Sequence, residues 1–350
     1  MNVIYLVDTF PSYISIGRYS LDLYKMFQPD SKIVQFVFNK RNRDNTYGSH
    51  AYGLDVPYPL TAVNYIFPKL IFRKKIKEIE SSDYIIHITS HSFPAIIETE
   101  KTVVTIHDVI SFKGRIERES EPILEKFLKK YIRRNTRKYS KYRNIITVSN
   151  YAKKEIENEF SLDNDSVTVI YPPISEHFHP IDDKVGLRKE LNLPIDKKLV
   201  LSVSSTQKRK NLNMVERVMD KLGDDFKLVR VGEKIHDSIT FNKIDNETLN
   251  KVYNASDLLF FPTLEEGFGY PTVEAFATGL PVVSSNIEVI KEVAGDSAIL
   301  VDPTNLEENV EAVYRAIEYR EHYRTRGLER AKQFSGERIR KRLLEYYEKI

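Results

Sequence analysis

Short runs of β-branched and aromatic residues, separated by longer segments of helical periodicity, constrain this chain more than any other feature. Six runs fall in the first half: "NVIYLV", "KIVQFVF", "DYIIHIT", "KTVVTIH", "NIITVS" and "VTVIYPP". Six more follow: "KLVLSVS", "FKLVRVG", "SITF", "DLLFFP", "PVVSS" and "AILVD". Several are apolar at nearly every position, the pattern of parallel strands covered on both faces. Strands that alternate with helices imply βαβ units. Between the two sets lies "YPPISEHFHPIDD", whose prolines and polar residues suit a linker. The chain therefore reads as α/β, with two doubly wound Rossmann-like domains joined near residues 172–185. A length of 350 residues allows two cores of ordinary size.

The chain has no cysteine, which removes disulfides, thiolate metal sites and a cysteine nucleophile, and fits a reducing compartment. Its start, "MNVIYLVDTF", has no basic n-region and too short an apolar run for a signal peptide. No stretch approaches the roughly 20 apolar residues that cross a bilayer. The expectation is a cytoplasmic protein, with any membrane contact peripheral and at the inner face. A net charge of +3 is not that of a polycation. No helix-turn-helix or RNP-type pattern points to nucleic acid.

The segment around "TLEEGFGYPTVEAFATG" carries two glutamates, Glu266 and Glu274. "DLLFFP" reads as a buried strand ended by its proline, and a helix begins near Pro271, a residue favoured at the first helical position. Gly279 caps that helix and "LPVVSS" is the next strand. The loop thus lies at the carboxyl end of a parallel strand, where open α/β sheets bind ligands. The helix N-terminus offers N–H groups and a positive dipole end to a phosphate, and Gly267 and Gly269 allow close approach to the backbone. Taken singly, Glu266 is a solvated loop acid and Glu274 a helix acid favoured by the dipole. A capping box does not account for Glu274, because position 271 is Pro. Together, in this setting, the pair points to a ligand site.

Lys208, Arg209 and Lys210 follow "KLVLSVS", again at a carboxyl end, where cations can absorb the charge of a leaving phosphate. Taken alone they make a solvated basic turn, and Lys208 is assigned to the surface. His107 and Asp108 end "KTVVTIH"; a lone histidine there is more often structural than catalytic.

The glutamate segment resembles the E-x7-E signature of the retaining glycosyltransferases of family 4, with Glu266 and Glu274 at its two acidic positions. The similarity runs over nearly the whole chain. "SVSSTQKRKNL" resembles the family's basic donor-phosphate loop, "VSNYAKKEI" the helix before the linker, "YPPISEHFHP" the linker, "TIHDVISF" the loop of the active-site histidine and "SIGRYSLDL" the first loop and helix. The resemblance implies the GT-B fold, two Rossmann-like domains facing a central cleft. Residues 1–175 would bind the acceptor and residues 176–334 the nucleotide sugar, with a helix at 335–350 packing back on the first domain.

By the same resemblance Glu274 binds the ribose hydroxyls, while Glu266 contacts the transferred sugar and holds its developing positive charge. Both roles suit a carboxylate, which accepts two hydroxyl protons and stabilises an oxocarbenium-like centre. Arg209 and Lys210 meet the diphosphate, and His107 touches the donor sugar near the reacting carbon. Gly267, Phe268, Gly269, Tyr270 and Thr272 line the nucleotide. Gly17 and Asp108 belong to the substrate side, where Asp108 can also cap its own loop. Two departures stand out. Ile14-Ser15-Ile16 replaces a glycine pair before Gly17, and Ser204-Ser205 replaces a glycine followed by a small or basic residue, which leaves one phosphate cation fewer.

The implied reaction moves a hexose from a nucleotide-diphosphate sugar, as co-substrate, to a hydroxyl of a glycan or lipid-linked glycan, with no cofactor. Two alternatives stay open: a GT-B sugar-nucleotide 2-epimerase, and a non-catalytic protein that binds sugar nucleotides or membranes. The dinucleotide fingerprint G-x-G-x-x-G is missing. Asp163-Asn164-Asp165 spells the D-x-D of metal-dependent enzymes but sits in a polar stretch that reads as a turn, and the histidines show no ligand spacing, so no metal is implied. Finally, "KFLKKYIRRNTRKYSKYR" (residues 126–143) is dense in cations. Leu124, Phe127, Leu128, Tyr131 and Ile132 form a helical stripe opposite them. It reads either as a core-facing helix with a solvated basic face or as a contact with anionic lipid headgroups.

Overall fold

The protein is described from a computed structural model over residues 2–7, 15–36, 51–52, 73–91, 95–110, 134 and 137–350. Its contacts divide the chain into two compact units, Met1–Pro173 with Ile339–Ile350, and Ile174–Arg338.

The first unit runs β1 (Val3–Val7), α1 (Ser15–Met26), β2 (Ser31–Phe36), β3 (Ala51–Tyr52), α2 (Arg73–Glu80), β4 (Ile85–Ile88), β5 (Thr102–Ile106), β6 (Asn144–Thr147), α3 (Asn150–Phe160) and β7 (Val167–Val169). The strands form one seven-stranded sheet in the order β3-β2-β1-β4-β5-β6-β7. Every pair is parallel. Each residue of β1, β4 and β5 is buried, which is why those runs lack polar alternation. Helix α3 starts where the Ser149 hydroxyl accepts the Ala152 N–H at 2.9 Å, a side-chain N-cap worth about 1 kcal/mol.

The second unit runs α4 (Lys184–Glu190), β8 (Lys198–Val203), α5 (Leu212–Leu222), β9 (Phe226–Val231), β10 (Ile239–Phe241), α6 (Asn246–Ala255), β11 (Leu258–Phe261), α7 (Tyr270–Thr278), β12 (Val282–Ser285), α8 (Glu288–Ala294), β13 (Ile299–Val301), α9 (Leu306–Glu318) and α10 (Arg320–Ala331). Its six strands are parallel in the order β10-β9-β8-β11-β12-β13. Helix α5 buries Met214, Val215, Val218, Met219 and Leu222, one helical face by spacing. That face packs on Val200, Leu228, Leu258 and Phe260 from the sheet and on Ala312, Val313 and Ala316 from α9. Each such aliphatic side chain contributes about 1.5–3 kcal/mol on burial. A last helix, α11 (Gly336–Tyr347), starts in the second unit. From Ile339 on it belongs to the first, where Ile339, Leu343 and Tyr347 are buried one turn apart.

Each of the twelve expected runs contains a strand, and β3 was not foreseen. It is two residues long in a polar stretch, too short to leave a pattern. Both sheets reverse their order at the first strand, between β1 and β4 in one unit and between β8 and β11 in the other. Ligands of doubly wound sheets bind outside the carboxyl ends at such switch points. Asp163 and Asp165 lie in the turn between α3 and β7, with Lys153 bonded to Asp165 at 2.6 Å. Most of the basic segment 126–143, including its apolar stripe, lies outside the described residues. Within it Arg137–Lys141 forms a 3-10 turn that buries Tyr139. No helix of the described residues is long and apolar enough to cross a membrane.

Candidate active site

At the second unit's switch point, the loop after β8 and the loop after β11 close on each other through side chains. Lys208–Lys210 forms a 3-10 turn that ends at Asn211, in the left-handed region at φ 54°. The Asn211 amide clamps the turn by donating to the carbonyls of Pro262 at 3.0 Å and Pro303 at 2.8 Å. The turn directs Arg209 and Lys210 at Glu266. Arg209 Nη1 donates to Glu266 Oε2 at 3.0 Å and to the Glu265 carbonyl at 2.8 Å, and Lys210 Nζ bonds Oε1. Thr263 donates its hydroxyl to the same Oε1 at 2.9 Å. Lys208 is exposed.

Glu266 is only 7% exposed. Burial alone pushes its carboxyl up. The charges of Lys210 and Arg209, with the bonds from Lys210 and Thr263, outweigh this and hold it below the usual 4.5. The group is therefore a carboxylate at neutral pH, the form that can accept sugar hydroxyls and face positive charge.

Helix α7 starts behind Gly269, whose φ of 93° and whose Ile290 neighbour, 2.7 Å from where a Cβ would lie, leave room only for glycine. Pro271 stands in its first turn, as expected from the sequence. Phe268 is buried, its ring edge-on to Tyr270 at 5.4 Å and to Phe334 at 5.5 Å, so that side chain anchors the loop to the core. Gly267 is buried beside it. Thr272 is fully buried, and its hydroxyl has no protein partner among the described residues. Glu274 lies deeper in α7, 1% exposed, and receives the Tyr253 hydroxyl at 2.6 Å. Arg209, Lys210 and Glu266 thus form one cluster, and Glu274 is fixed separately by a tyrosine from α6.

The first unit places hydroxyls and imidazoles at its own strand ends. Gly17 lies in the first turn of α1 and is buried. Ser20 donates to the Thr89 hydroxyl at 2.7 Å, and Thr89 donates to the Leu6 carbonyl at 3.0 Å, tying α1 to β1 and β4. His107 follows β5. Its Nε2 lies 2.8 Å from the Thr89 carbonyl oxygen, which can only accept, so Nε2 carries the proton. Burial pulls its pKa down to about 4, with His91 adding to the effect while the Thr89 bond and Asp108 oppose it. At neutral pH His107 is therefore uncharged with its lone pair on Nδ1, an acceptor for a hydroxyl. Its backbone N–H donates to His91 Nδ1 at 3.3 Å. Asp108 accepts the Ile110 N–H at 3.0 Å and so caps its own loop.

Sequence reasoning missed Thr263, Tyr253, Asn211, Thr89 and His91. Asn211 and Thr89 act across dozens of residues, and His91 and Tyr253 across 16 and 21. A lone threonine, such as Thr263 three positions from Glu266, or a lone tyrosine carries no local sign of its partner.

Residues 183–334 match the family described as glycosyl transferases group 1, and residues 38–178 match glycosyltransferase family 4. The O-antigen chain mannosyltransferase B of Escherichia coli is 24% identical, with 92% of each chain covered. The O-antigen chain mannosyltransferase RfbU of Salmonella typhimurium is 23% identical over 61% of this chain and 60% of that one. Among solved structures, WaaG, a glycosyltransferase involved in lipopolysaccharide biosynthesis, superposes with a TM-score of 0.74 at 13% identity over 98% of both chains. Anabaena Alr3699/HepE in complex with UDP and glucose does so at 0.75 and 14% over the full length of both. The fold is GT-B.

Proposed function

We propose that this chain, which belongs to family 4 of the glycosyltransferases, moves a hexose from a nucleotide-diphosphate sugar to a hydroxyl of a glycan or lipid-linked glycan, with retention. The observation that carries the reading is the cluster of Arg209, Lys210, Thr263 and Glu266 at the β8/β11 switch point. Mannose is the first sugar to test, because the relatives from Escherichia coli and Salmonella typhimurium are named mannosyltransferases.

In this reading the two cations exchange partners. Before the donor arrives they are held by Glu266, which keeps them ordered. A diphosphate takes over part of their bonding, and that frees Glu266 oxygens for the sugar. As the glycosidic bond breaks, Arg209 and Lys210 meet the growing charge on the leaving group, and the Glu266 carboxylate faces the positive anomeric centre. Tyr253 orients Glu274 for the ribose hydroxyls. His107 Nδ1 accepts a hydroxyl of the donor sugar. No metal is needed for these steps.

Thermal-shift screening against UDP-, GDP- and ADP-sugars identifies the donor, since a ligand at a hundredfold excess over its dissociation constant stabilises by about 2.7 kcal/mol. Donor hydrolysis and transfer are then followed by NMR, with the anomeric configuration of the product read directly. An inverted product overturns the retaining mechanism. A ligand that binds but is never turned over, with or without acceptor, overturns the enzyme. Transfer should survive EDTA; loss on chelation and rescue by manganese would assign the leaving-group charge to a metal. A lipid-linked acceptor predicts that the basic segment binds anionic vesicles at low salt, and that reversing Lys129, Lys130, Arg133 and Arg134 to glutamate abolishes sedimentation while donor hydrolysis continues.

A further inference from the structure

Arg230, near the end of β9, is fully buried. All its bonds go to uncharged oxygens. Nη2 donates to the Ser204 carbonyl at 2.6 Å, Nη1 to the hydroxyls of Ser204 at 3.0 Å and Ser202 at 3.1 Å, and Nε to the Glu233 carbonyl at 3.2 Å. Nη1 also reaches the Ser202 carbonyl at 3.3 Å. Among the described residues no carboxylate pairs with it. Arg188, equally sequestered, differs in closing on Asp257 at 2.7 Å. Buried charges are normally paired, so a guanidinium held by dipoles alone keeps most of its field for something else. Burial lowers its pKa to about 10, against the pull of Glu233, and it stays cationic at neutral pH.

Its position says what that something is. Ser202 and Ser204 stand at the carboxyl end of β8, just before the turn that carries Arg209 and Lys210. A trans peptide points its C=O and its N–H in opposite directions. With the Ser204 carbonyl held inward by Arg230, the Ser205 N–H points outward. That N–H has no acceptor among the described residues. The bond to a cation also polarises the peptide and strengthens the N–H as a donor. Gly232 makes the approach possible: at φ 135° a Cβ would lie 2.3 Å from the Ser204 oxygen and 3.1 Å from Nη2.

We propose that Arg230 is a positioning residue for the donor's diphosphate, aiming the Ser205 N–H at it and supplying from beneath the loop the positive charge that positions 204 and 205 lack. This rests on the donor reading above. The alternative is a neutral role, in which Arg230 only staples the ends of β8 and β9.

The two differ in what they do to phosphate. Calorimetric titration of wild type, Arg230→Met and Arg230→Lys is run with a nucleoside, its monophosphate and its diphosphate, for whichever of uridine, guanosine or adenosine wild type binds. Arg230→Met should lose diphosphate affinity by about tenfold or more while the nucleoside changes by less than about twofold, and Arg230→Lys should recover part of the loss. Equal losses for nucleoside and diphosphate, or none for either, leave only the staple and overturn the proposal. Should the Met variant fail to fold, Ser205→Pro removes the outward N–H from an exposed position. It should show the same selective loss, and unchanged diphosphate affinity there overturns the proposal as well. A wild-type protein with no preference for diphosphate over nucleoside overturns the donor reading itself.

Discussion

The two units wind their strands in the same order around the same kind of switch point, yet fill it with opposite electrostatics. In the first, the polar groups buried on and just after β4 and β5 are, among the described residues, neutral. His87 on β4 sits between the Tyr347 hydroxyl at 2.6 Å and the Thr105 hydroxyl at 2.7 Å, and Tyr19 bonds Thr105 at 3.0 Å. His91 and His107 follow, and burial pulls all three imidazoles down, His87 to about 3. The second unit buries neutral side chains too, such as Asn250 and Ser284, but adds ions. Glu266 holds Arg209 and Lys210, and Asp257 holds Lys184 and Arg188. Topology fixes where a site can form; the side chains decide whether it handles hydroxyls or phosphates. A neutral, acceptor-lined site suits an uncharged sugar, and a site whose cations outnumber its carboxylates suits a diphosphate.

Acid gives the widest separation between the units. An unfolded histidine takes up a proton near 6.5, whereas His87 resists until about 3 and His107 until about 4. Between those values the unfolded state holds the extra protons, so the histidines' contribution is complete above 6.5 and drains away as pH falls. Glu266 and Asp257, held below the ordinary carboxylate values, lose their contribution only in more acid solution. Hydrogen exchange followed by mass spectrometry from pH 7 downward should show the first unit opening while the second stays protected. Joint opening, or the reverse order, breaks the comparison.

Next in size is Asp257→Ala. It strands Lys184 and Arg188 and removes the acceptor of the Leu199 N–H at 2.6 Å. Breaking a buried pair costs about 3–5 kcal/mol. Denaturation should show that loss in the second unit, with exchange in β1, β4 and β5 unchanged.

Much of this architecture is legible in the sequence because burial on both faces writes itself as unbroken apolar runs, as in Val3–Val7 and Leu258–Phe261. The turn chemistry is legible too: Gly269 and Gly279 take the left-handed conformations that their places around α7 demand. Glu266, Glu274, Arg209 and Lys210 stand out as charges beside such runs. Their partners do not. The Glu266 cluster joins residues 56 and 57 positions apart, and His87 meets Tyr347 across 260. Pairing over such spans depends on the folded path, which a local pattern does not record. Arg230 was invisible for a different reason: inside "FKLVRVG" it breaks an apolar run, which reads as an exposed edge rather than as a buried cation.

Smaller effects sharpen the contrast within the second unit. Glu266→Gln should lower kcat by about 10–100-fold, equivalent to about 1.5–3 kcal/mol for a lost charge-assisted bond, with nucleotide affinity little changed. Glu274→Gln should instead weaken nucleotide binding and spare kcat; equal affinity in wild type and variant removes the ribose assignment. The smallest effect belongs to the first unit. Thr105→Val deletes a neutral hydroxyl that serves both His87 and Tyr19 and should cost about 1–3 kcal/mol of stability. A larger loss there than in Asp257→Ala would reverse the ranking of neutral and ionic networks.

Helix α11 adds a consequence for biosynthesis. The first unit takes its Tyr347, Leu343 and Ile339 from residues made after the whole of the second unit, and Arg340 closes on the Met26 carbonyl at 3.1 Å. The second unit is contiguous, Ile174–Arg338. At about 5–20 residues per second, the ribosome takes on the order of 10–40 s to travel from β7 to Tyr347. Throughout that interval His87 lacks its tyrosine, and by its end the whole of the second unit has been made. The unit begun before the other is completed after it, and a chain cut short at residue 338 leaves it open.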